Sequence, residues 1–422
     1  MDPRLIVMLI LAGAVLLFLS NRVSAAVTAL LVSTALYVTG VIDAGEMVAG
    51  FSNSAVILTM GMLIISGAML SCGFADILGG FVLKFVKGER NVMTALVVLG
   101  IFLSAFMSAI GTVSVLIPLC IGVCQREPGN YRLGKLAMPC SIACSTGGML
   151  TLIGKPPNIT ANQILIENGY GSMGFFELAK VGLPIAVIFI LFMHFWGYKL
   201  IPDTGIDPFS FSITSRGTEI KKWKKAVCIV IFLGTVISLA MENVTGIPSH
   251  VSAFVGAAAV LAANIVSDRE AFKRIEWRSI FLIAGMLPLA RAMVSTKAAD
   301  SIAGFIIDLL GEHPSPVILT GVLFLIVTVL TEFMSNVAAC TLFAPIGLAV
   351  AQGLSINPVS VVLAIAIASG CSFATPVGNP VSTYVMGYGG YRFRDYMKVG
   401  LWLNIISWLI GVAMISVFWP YY

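Results

Sequence analysis

Two short stretches of this sequence place hydroxyl, amide and proline groups among residues that are otherwise apolar. The first is SAIGTVSVLIP (108–118) and the second is SNVAACTLFAP (335–345); Gly-Pro breaks follow them at 153–158 and 377–382. An interrupted helix leaves free amides at one edge of the break and free carbonyls at the other. Free amides at a helix start favour anions, whereas unwound carbonyls with Ser, Thr and Asn oxygens favour Na⁺. Such breaks at matching points of two hydrophobic halves are typical of a transporter's binding site.

The two halves repeat this arrangement in register. Ser and Pro are ten residues apart in both stretches, and the Gly of the break follows that Pro by 36 residues in one half and 33 in the other. A similar helix start, FFELAKVGL (175–183) and FRDYMKVGL (393–401), closes each copy. We therefore expect two hairpins, one from each half, that meet near the middle of the membrane around one solute.

The second stretch predicts a cation site. Thr331, Ser335 and Asn336 supply oxygens within six residues, and Gly378 in the facing break allows close approach of the backbone. Pro380 cannot continue a helix and leaves a carbonyl unpaired. The alternative is an ordinary Pro/Ser kink that adjusts helix packing. Two such motifs in register favour the site.

The first stretch offers fewer ligands, because Ala109 stands where the second has Asn336. Lys155 is a cation inside the facing break, and an ionisable residue within the membrane is a functional candidate by default. Lys155 could bind an anionic substrate directly, or its ammonium could stand in for a Na⁺ ion. It could also extend to the membrane surface or form a structural pair.

Two other charged residues lie in hydrophobic surroundings. Glu332 comes just before the second break and could brace the hairpin tip or carry a proton. Arg291 could pair with a carboxylate or reach the substrate. For both residues a structural role is the first expectation, because a buried charge is tolerated in the membrane only when it is paired.

The composition is that of an integral membrane protein. Hydrophobic residues make up 58% of the 422 residues and charged residues 11%, against about 45–50% and about 25% in soluble domains. The first hydrophobic segment is not followed by a cleavage site and is expected to be a retained helix. Windows of spanning length fall at 5–19, 25–41, 54–72, 135–152, 174–198, 226–241, 250–266, 277–296, 357–375 and 397–417.

Two more hydrophobic stretches, 92–124 and 315–352, contain the Ser-centred breaks and are expected to enter and leave on the same side. With the amino terminus outside, 20 of the 25 Lys and Arg residues then lie on the inner side. This asymmetry follows the positive-inside rule. It predicts a bacterial inner-membrane protein whose 199–225 loop is cytoplasmic.

Five crossings in each half put the two halves in opposite orientations. The expected fold is therefore an all-α polytopic membrane protein with two inverted-topology repeats of five transmembrane helices, each with a re-entrant helical hairpin and a broken helix. Apolar faces at 74–87 and 297–313 predict amphipathic helices that lie along the two membrane surfaces.

Other functional classes lack their characteristic residues. Cys120/Cys124 and Cys140/Cys144 have helical spacing, but no His or carboxylate is near them in sequence, so packing is expected rather than a metal site. No H-E-x-x-H or G-x-x-x-x-G-K-[ST] motif occurs, which argues against a membrane hydrolase and a primary pump. We expect no cofactor, Na⁺ as the coupling ion, and no nucleic-acid partner.

At this point the motifs resemble a known family. SNVAACTLFAP, preceded by Thr-Glu-Phe-Met, resembles the Ser-Asn-Thr hairpin signature of the divalent anion:sodium symporters. IGKPPN and TPVGNP resemble that family's paired loops, and the resemblance extends from about residue 5 to 417. It implies two inverted repeats, a scaffold domain, a mobile transport domain, an elevator motion and a homodimer. The implied scaffold parts are 1–91 and 226–313, the transport parts are 92–200 and 314–422, and 201–225 is a cytoplasmic linker.

The resemblance also implies the site residues. One sodium site would use Thr331, Ser335, Asn336 and the carbonyl of Gly378, and the other would use Ser104, Ser108 and the carbonyl of Gly154. The substrate would meet Ser108, Lys155, Pro156, Ser335, Asn336, Val337, Asn379 and Pro380. The chain departs from the signature in three ways: Ser-Ala-Ile replaces the first Ser-Asn-Thr, Val337 replaces the second Thr, and Lys155 and Asn379 replace small hydroxyl residues.

These observations predict a secondary active transporter of small anions. Di- or tricarboxylates are favoured as substrates, with coupling to Na⁺ or exchange of one anion for another. A sulfate-type inorganic anion symporter is one alternative. A Na⁺/H⁺ antiporter with Glu332 as its carrier is another, although so few membrane carboxylates argue against it.

Overall fold

The computed structural model describes residues 2–20, 22–211, 221–310 and 315–422, and the regular elements in these ranges are all helical. In chain order the helices are α1 (Pro3–Ser20), α2 (Ala25–Val38), α3 (Ala44–Ala49), α4 (Ser54–Ser71), α5 (Phe74–Lys84), α6 (Glu89–Phe106), α7 (Ala109–Arg126), α8 (Leu133–Gly147), α9 (Pro156–Glu167), α10 (Ala179–Phe192), α11 (Tyr198–Leu200), α12 (Lys222–Ala240), α13 (Glu242–Thr245), α14 (Ser249–Ala262), α15 (Asp268–Arg274), α16 (Trp277–Ser295), α17 (Ala298–Leu310), α18 (Pro316–Thr331), α19 (Asn336–Gly353), α20 (Pro358–Ser369), α21 (Pro380–Gly389) and α22 (Phe393–Phe418).

The two halves of the chain repeat one order of helices. Helices α1 to α10 correspond one by one to α12 and α14 to α22. Matched helices have similar lengths: α4 and α16 have 18 and 19 residues, and α7 and α19 have 18 each. The fold is the predicted pair of inverted-topology repeats, each with a hairpin and a broken helix.

Packing between the repeats obeys the same correspondence. Helix α4 packs along α14, and its repeat equivalent α16 packs along α2, the equivalent of α14. Small residues make both approaches close, as is common between membrane helices. A Cβ on Gly61 would lie 2.7 Å from the carbonyl oxygen of Ala253, and one on Gly285 would lie 3.0 Å from that of Ala29. Each repeat thus packs its longer helix, α4 or α16, on the short helix of the other repeat, α14 or α2. Two inverted halves produce such a reciprocal contact.

Each predicted hairpin consists of two helices that meet at a short tip. Helices α6 and α7 meet at 107–108, and α18 and α19 meet at 332–335. Ser108 and Ser335 end the tips as N-caps, because each hydroxyl accepts a hydrogen bond from the backbone N–H three residues later. Local sequence chemistry therefore decides where the chain turns.

Each predicted broken helix is two half-helices separated by irregular backbone. Helix α8 ends at Gly147 and α9 begins at Pro156, while α20 ends at Ser369 and α21 begins at Pro380. Proline suits the first position of a helix because the N–H that it lacks would be unpaired there. The Gly-Pro breaks thus end one half-helix and start the next.

In the part of the chain that the structure describes, nine helical segments are long and apolar enough to cross a membrane. Helices α2 and α14, expected as full windows at 25–41 and 250–266, have only 14 residues each. Both end at turns with positive φ, at Gly40 and at Asn264. The amphipathic segments form α5 and α17, which pack against the hairpin helices α7 and α19. The protein is an integral membrane protein.

Positive charge marks one end of the molecule, which we call the basic face. It comprises the segment from Lys84 to Arg90, the loops at 127–132 and 201–211, the start of α12 with Lys221, Lys222, Lys224 and Lys225, α15, and the start of α22; the other end is the opposite face. The division into scaffold and transport parts stays a prediction. The helix packing is compatible with it, because α8 packs on α6 and α21, and α20 packs on α18 and α22. Residues 212–220 of the expected linker and the boundary expected at 313 lie outside the described residues.

The glycine contacts between repeats predict a difference in stability. Gly61→Ala and Gly285→Ala should each lower the melting temperature of the purified protein, because overpacking costs about 1–3 kcal/mol. Gly234→Ala in α12 is the control, since no atom lies within 4 Å of its added Cβ. Thermal unfolding in one detergent measures all three, and equal stability of the Gly285 and Gly234 variants would contradict the packing argument.

Candidate functional site

A cavity of about 150 Å³ lies between the two hairpin tips, the two breaks and helices α4 and α16. We call it the central cavity. It is large enough for several water molecules or a small solute. Ten of the residues that the sequence singled out line it: Ser108, Gly154, Lys155, Pro156, Ser335, Asn336, Val337, Gly378, Asn379 and Pro380. Ser104 and Thr331 are buried behind its wall.

Each hairpin tip presents the start of a helix to this cavity. The hydroxyl of Ser108 accepts a hydrogen bond from the backbone N–H of Gly111 at 3.1 Å, and that of Ser335 accepts one from Ala338 at 3.2 Å. The backbone N–H groups of the first two residues of α7 and of α19 have no acceptor among the described residues. Free N–H groups at a helix start attract anions. Each repeat therefore contributes one helix start with free N–H groups to the cavity.

The two breaks bond to each other across the repeats. Lys155 Nζ donates to the carbonyl of Gly370 at 2.7 Å, and that carbonyl is at the C-terminal end of α20. At the equivalent position, Asn379 Nδ2 donates to Ser145 Oγ of α8. Lys155 is only 6% exposed, so it does not extend to the membrane surface. Its ammonium lies where the partial negative charge of a helix end favours a cation.

Five oxygens converge at the second break. The amide of Asn336 has one terminal atom 2.9 Å from Thr331 Oγ1, 3.1 Å from Ser372 Oγ and 3.2 Å from the carbonyl oxygens of Ser369 and Gly378. With its nitrogen inward, the amide donates to these four oxygens, and this orientation satisfies its partners. With its oxygen inward, the amide accepts from Ser372 and completes a set of five oxygens, in which Thr331 Oγ1 donates to the carbonyl of Ser369 at 2.9 Å and the carbonyl of Gly378 has no donor among the described residues. Such a set, at a helix end and an unwound carbonyl, suits Na⁺.

This oxygen cluster unites three of the four residues expected for the second sodium site. Thr331, Asn336 and Gly378 belong to it, whereas the side chain of Ser335 caps α19 instead. Ser369 and Ser372 are additional members that the sequence did not indicate. Ser369 contributes a backbone carbonyl, which any residue type has, so only its position at the end of α20 could have revealed it.

The first repeat has no equivalent cluster among the described residues. Ser104 Oγ donates to the carbonyl of Cys144 at 2.6 Å, and Ser108 caps α7. Ala109 has no oxygen to add, and Asn158 donates to the carbonyls of Gly148 and Thr151, both at 2.9 Å. The carbonyls of the first break are thus satisfied by side-chain donors of the protein itself.

The second break is held by a carboxylate. Glu332 accepts hydrogen bonds from the backbone N–H groups of Ala374 at 2.9 Å and Thr375 at 2.7 Å, and from Asn404 Nδ2 at 2.6 Å. Behind the break, Gly400 of α22 packs directly on the carbonyl of Phe373, where a Cβ would not fit. The expected bracing role of Glu332 therefore matches its contacts.

The central cavity extends toward the basic face. Its walls there are Met62, Leu63 and Ser66 from the end of α4, and Ser279 with Glu276 from the start of α16. Glu276 precedes the membrane helix, and burial raises the pKa of its carboxyl although Ser279 and Arg278 act in the other direction. On the side of the opposite face, the cavity lining includes Thr59 of α4 and Ile159 of α9.

The cysteines take no part in this site. Cys120 Sγ and Cys140 Sγ lie 3.7 Å apart in the contact between α7 and α8, and all eight thiols are buried. Within the described ranges no three His, Cys, Asp or Glu side chains form a group that could hold a metal ion. The side-chain chemistry of the cavity is that of binding rather than of bond cleavage.

Comparisons with known proteins agree with this geometry. The family model described as citrate transporter matches residues 15–366 and 333–422. The chain is 23% identical to the uncharacterized transporter YfbS of Escherichia coli, over 98% of this chain and 99% of that protein. It is 24% identical to the sodium-dependent dicarboxylate transporter SdcS of Staphylococcus saprophyticus, over 94% and 83%. The solved YdaH transporter of Alcanivorax borkumensis shares the fold, with a TM-score of 0.64 at 14% identity over 100% and 99% of the two chains.

The oxygen cluster predicts a sodium-dependent gain in stability. Replacing choline chloride with NaCl should raise the melting temperature of the purified protein. At a Na⁺ concentration of 100 times the dissociation constant, the bound ion adds about 2.7 kcal/mol to the free energy of unfolding. Asn336→Ala and Thr331→Val should remove the gain. Ser416→Ala is the matched control, because its hydroxyl bonds only within α22 and to Tyr421. A full sodium gain in both cluster variants would show that the ion binds elsewhere.

Proposed function

The chain belongs to the citrate transporter family, and we propose that it is a secondary active transporter of small organic dicarboxylates driven by Na⁺. The resemblance to divalent anion:sodium symporters that its hairpin motifs predicted is confirmed, since sodium-dependent dicarboxylate transporters and solute carrier family 13 member 2 of mouse are among its relatives. The family and these relatives are transporters and not enzymes.

One observation carries the choice of substrate: two serine-capped helix starts face each other across one cavity. Each tip offers two free N–H groups, and each serine hydroxyl can donate to a ligand while its oxygen caps the helix. One carboxylate fits one tip. A dicarboxylate would use both tips, whereas a sulfate-type anion would leave one tip without a partner.

The walls between the tips support a substrate with a short carbon chain. Met62, Leu63, Leu282 and Val337 line the cavity and offer apolar contact to such a chain. A third carboxylate would have to lie against these side chains and lose its hydration without a partner. For this reason we favour dicarboxylates over tricarboxylates.

The coupling ion in this proposal is Na⁺ at the oxygen cluster. A cation there contacts the carbonyl of Ser369, and the ammonium of Lys155 contacts the next carbonyl, Gly370. Two positive charges at one helix end repel each other. An anion in the cavity reduces this repulsion, so the anion and Na⁺ each strengthen binding of the other.

Lys155 acts in this scheme as a built-in cation. Its ammonium has a carbonyl ligand at a helix end, the kind of ligand that a Na⁺ ion takes. The first repeat lacks an oxygen cluster of its own within the described residues, which supports one coupled Na⁺ at the second repeat and a fixed positive charge contributed by the first. Exchange of one anion for another remains the alternative mode.

Transport by an elevator motion is part of the same proposal. The hairpins and broken helices would move together past α2, α4, α14 and α16 and carry the cavity from one face to the other. The basic face would be cytoplasmic, because Lys and Arg concentrate on the inner side of membrane proteins. The amino terminus would then be outside, and the homodimer implied by the resemblance stays a prediction.

We expect that replacing a capping serine lowers the affinity for the substrate but leaves the protein folded. Ser108→Gly and Ser335→Gly should each weaken succinate binding about 10- to 100-fold, because a hydrogen bond to a charged group is worth about 1.5–3 kcal/mol. Glycine is tolerated at an N-cap at a cost of a few tenths of a kcal/mol. Ser24→Gly is the control, since Ser24 caps α2 away from the cavity. Wild-type affinity in both tip variants would contradict the two-tip arrangement.

Uptake into liposomes tests the function itself. An inward Na⁺ gradient should drive accumulation of labelled succinate, with a Hill coefficient for Na⁺ of about 1 if one ion is coupled. Accumulation that requires only internal succinate and no Na⁺ would instead establish exchange. Sulfate and citrate, added as competitors, report the size and charge that the site accepts.

The same assay examines the built-in cation. Lys155→Met keeps the length of the side chain but removes its charge, so the apparent affinity for succinate should fall at least about tenfold, which is about 1.4 kcal/mol. Lys180→Met is the control, because Lys180 pairs with Glu177 at the opposite face. If the Lys155 variant retains both its affinity and its Na⁺ dependence, the role assigned to the ammonium is wrong.

A further inference from the structure

Five polar side chains join helices α4, α9 and α16 at the opposite face. Asn53 and Ser54 are at the start of α4, Gln163 and Glu167 are on the last turns of α9, and Arg291 is on the last turns of α16. We call this group the polar bridge. It is separate from the central cavity, and the transport scheme above assigns it no role.

Glu167 is the centre of the polar bridge. Arg291 binds it with two hydrogen bonds, Nη2 to Oε1 at 2.6 Å and Nε to Oε2 at 3.1 Å. Asn53 Nδ2 donates to Oε1 at 3.1 Å, and Gln163 Nε2 donates to the same oxygen at 2.9 Å. Ser54 Oγ in turn donates to Gln163 Oε1 at 2.8 Å. The carboxylate thus accepts four hydrogen bonds, three of them from helices α4 and α16 or the cap of α4.

The polar bridge lies on the route from the central cavity to the opposite face. A small pocket beside it is lined by Ser54, Leu58, Ile159 and Gln163. Ile159 also lines the central cavity, so this side chain lies between the two spaces. Toward the basic face, the lining of the central cavity continues to Ser66 and Glu276, at the other ends of α4 and α16.

The repeat equivalents of the polar bridge cannot form the same closure at the basic face. In the register set by the pairs Gly61/Gly285 and Pro156/Pro380, Asn53 corresponds to Trp277, Gln163 to Gly387 and Arg291 to Gly67. Glu167 corresponds to Tyr391, whose hydroxyl already donates to the carbonyl of Gly134 and accepts from the N–H of Met138. The charged pair is therefore present at one end only.

We propose that the polar bridge is a one-sided lock that keeps the opposite face closed and must break before the cavity can open there. Opening separates α9 from α4 and α16, which removes three of the four hydrogen bonds of the Glu167 carboxylate, because Gln163 moves with α9. A half-buried carboxylate left without partners is costly, so the lock biases the protein toward the state that is open at the basic face. The proposal rests on alternating access, but not on the identity of the substrate.

Reactivity of a single introduced cysteine tests the lock. Leu58→Cys places a thiol in the small pocket, where Leu58 is buried in the closed state, and the eight native cysteines are buried as well. The rate of labelling by a polar maleimide is measured in purified protein without substrate, with the parent lacking this cysteine as background. Glu167→Gln and Arg291→Gln should each raise the rate about tenfold, which corresponds to about 1.4 kcal/mol in the opening equilibrium.

Controls separate the lock from a general loosening of the fold. Glu177→Gln breaks another ion pair of the opposite face, Glu177 with Lys180 at 3.0 Å. The Glu177 carboxylate also accepts from the N–H of Gly174 and from Trp419 Nε1, and it bonds to neither α4 nor α16 among the described residues, so the rate should stay unchanged. The exchanged pair, Glu167→Arg with Arg291→Glu, should bring the rate back toward that of the parent. Labelling of Ser66→Cys near the basic face should be unchanged or slower in the Glu167 and Arg291 variants.

Two results would overturn the proposal. One is an unchanged labelling rate in Glu167→Gln and Arg291→Gln variants that melt at the parental temperature. The other is an equal rise at Leu58→Cys and Ser66→Cys, which would mean that the variants merely loosen the structure. Neither result bears on succinate transport, so a failure of the lock and a failure of the proposed substrate can be told apart.

Discussion

Unpaired backbone groups at the ends of half-helices are the constraint on which this structure depends. Within a membrane, every free N–H and carbonyl must find a partner inside the protein or in a wet cavity. The first break meets this need with donors, because Asn158 and Lys155 bond to its own carbonyls and to the carbonyl of Gly370. The second meets it with an acceptor, the carboxylate of Glu332, which accepts from the N–H groups of Ala374 and Thr375.

The two repeats therefore share one backbone arrangement but differ in chemistry. Where the second repeat has Asn336 the first has Ala109, and where the first has Lys155 the second has Asn379. The first break thus contributes the ammonium of Lys155 and the second an oxygen cluster, at the adjacent carbonyls of Gly370 and Ser369 at the end of α20. In the proposed mechanism, an anion bound at the two hairpin tips would offset the charge of a built-in cation and of an exchangeable one.

Asymmetry extends to the ends of the molecule. The opposite face is closed by the polar bridge around Glu167, while the cavity walls continue to Glu276 at the basic face. Inverted repeats would by themselves leave the two states of a transporter nearly equivalent. Side chains that differ between equivalent positions remove this equivalence, and a few hydrogen bonds suffice because only a few kcal/mol separate such states.

What the sequence determined by itself is the local chain geometry. Ser108 and Ser335 as caps, and Pro156 and Pro380 as first residues of half-helices, predict the tips and breaks almost to the residue, because caps and proline act on their nearest neighbours. Tertiary structure alone decided which groups meet. Lys155 and Gly370 are 215 positions apart, and Glu167 and Arg291 are 124 apart. The carbonyls of Ser369 and Gly370 carry no side-chain signature, so only the packing of the two repeats shows that they meet Asn336 and Lys155.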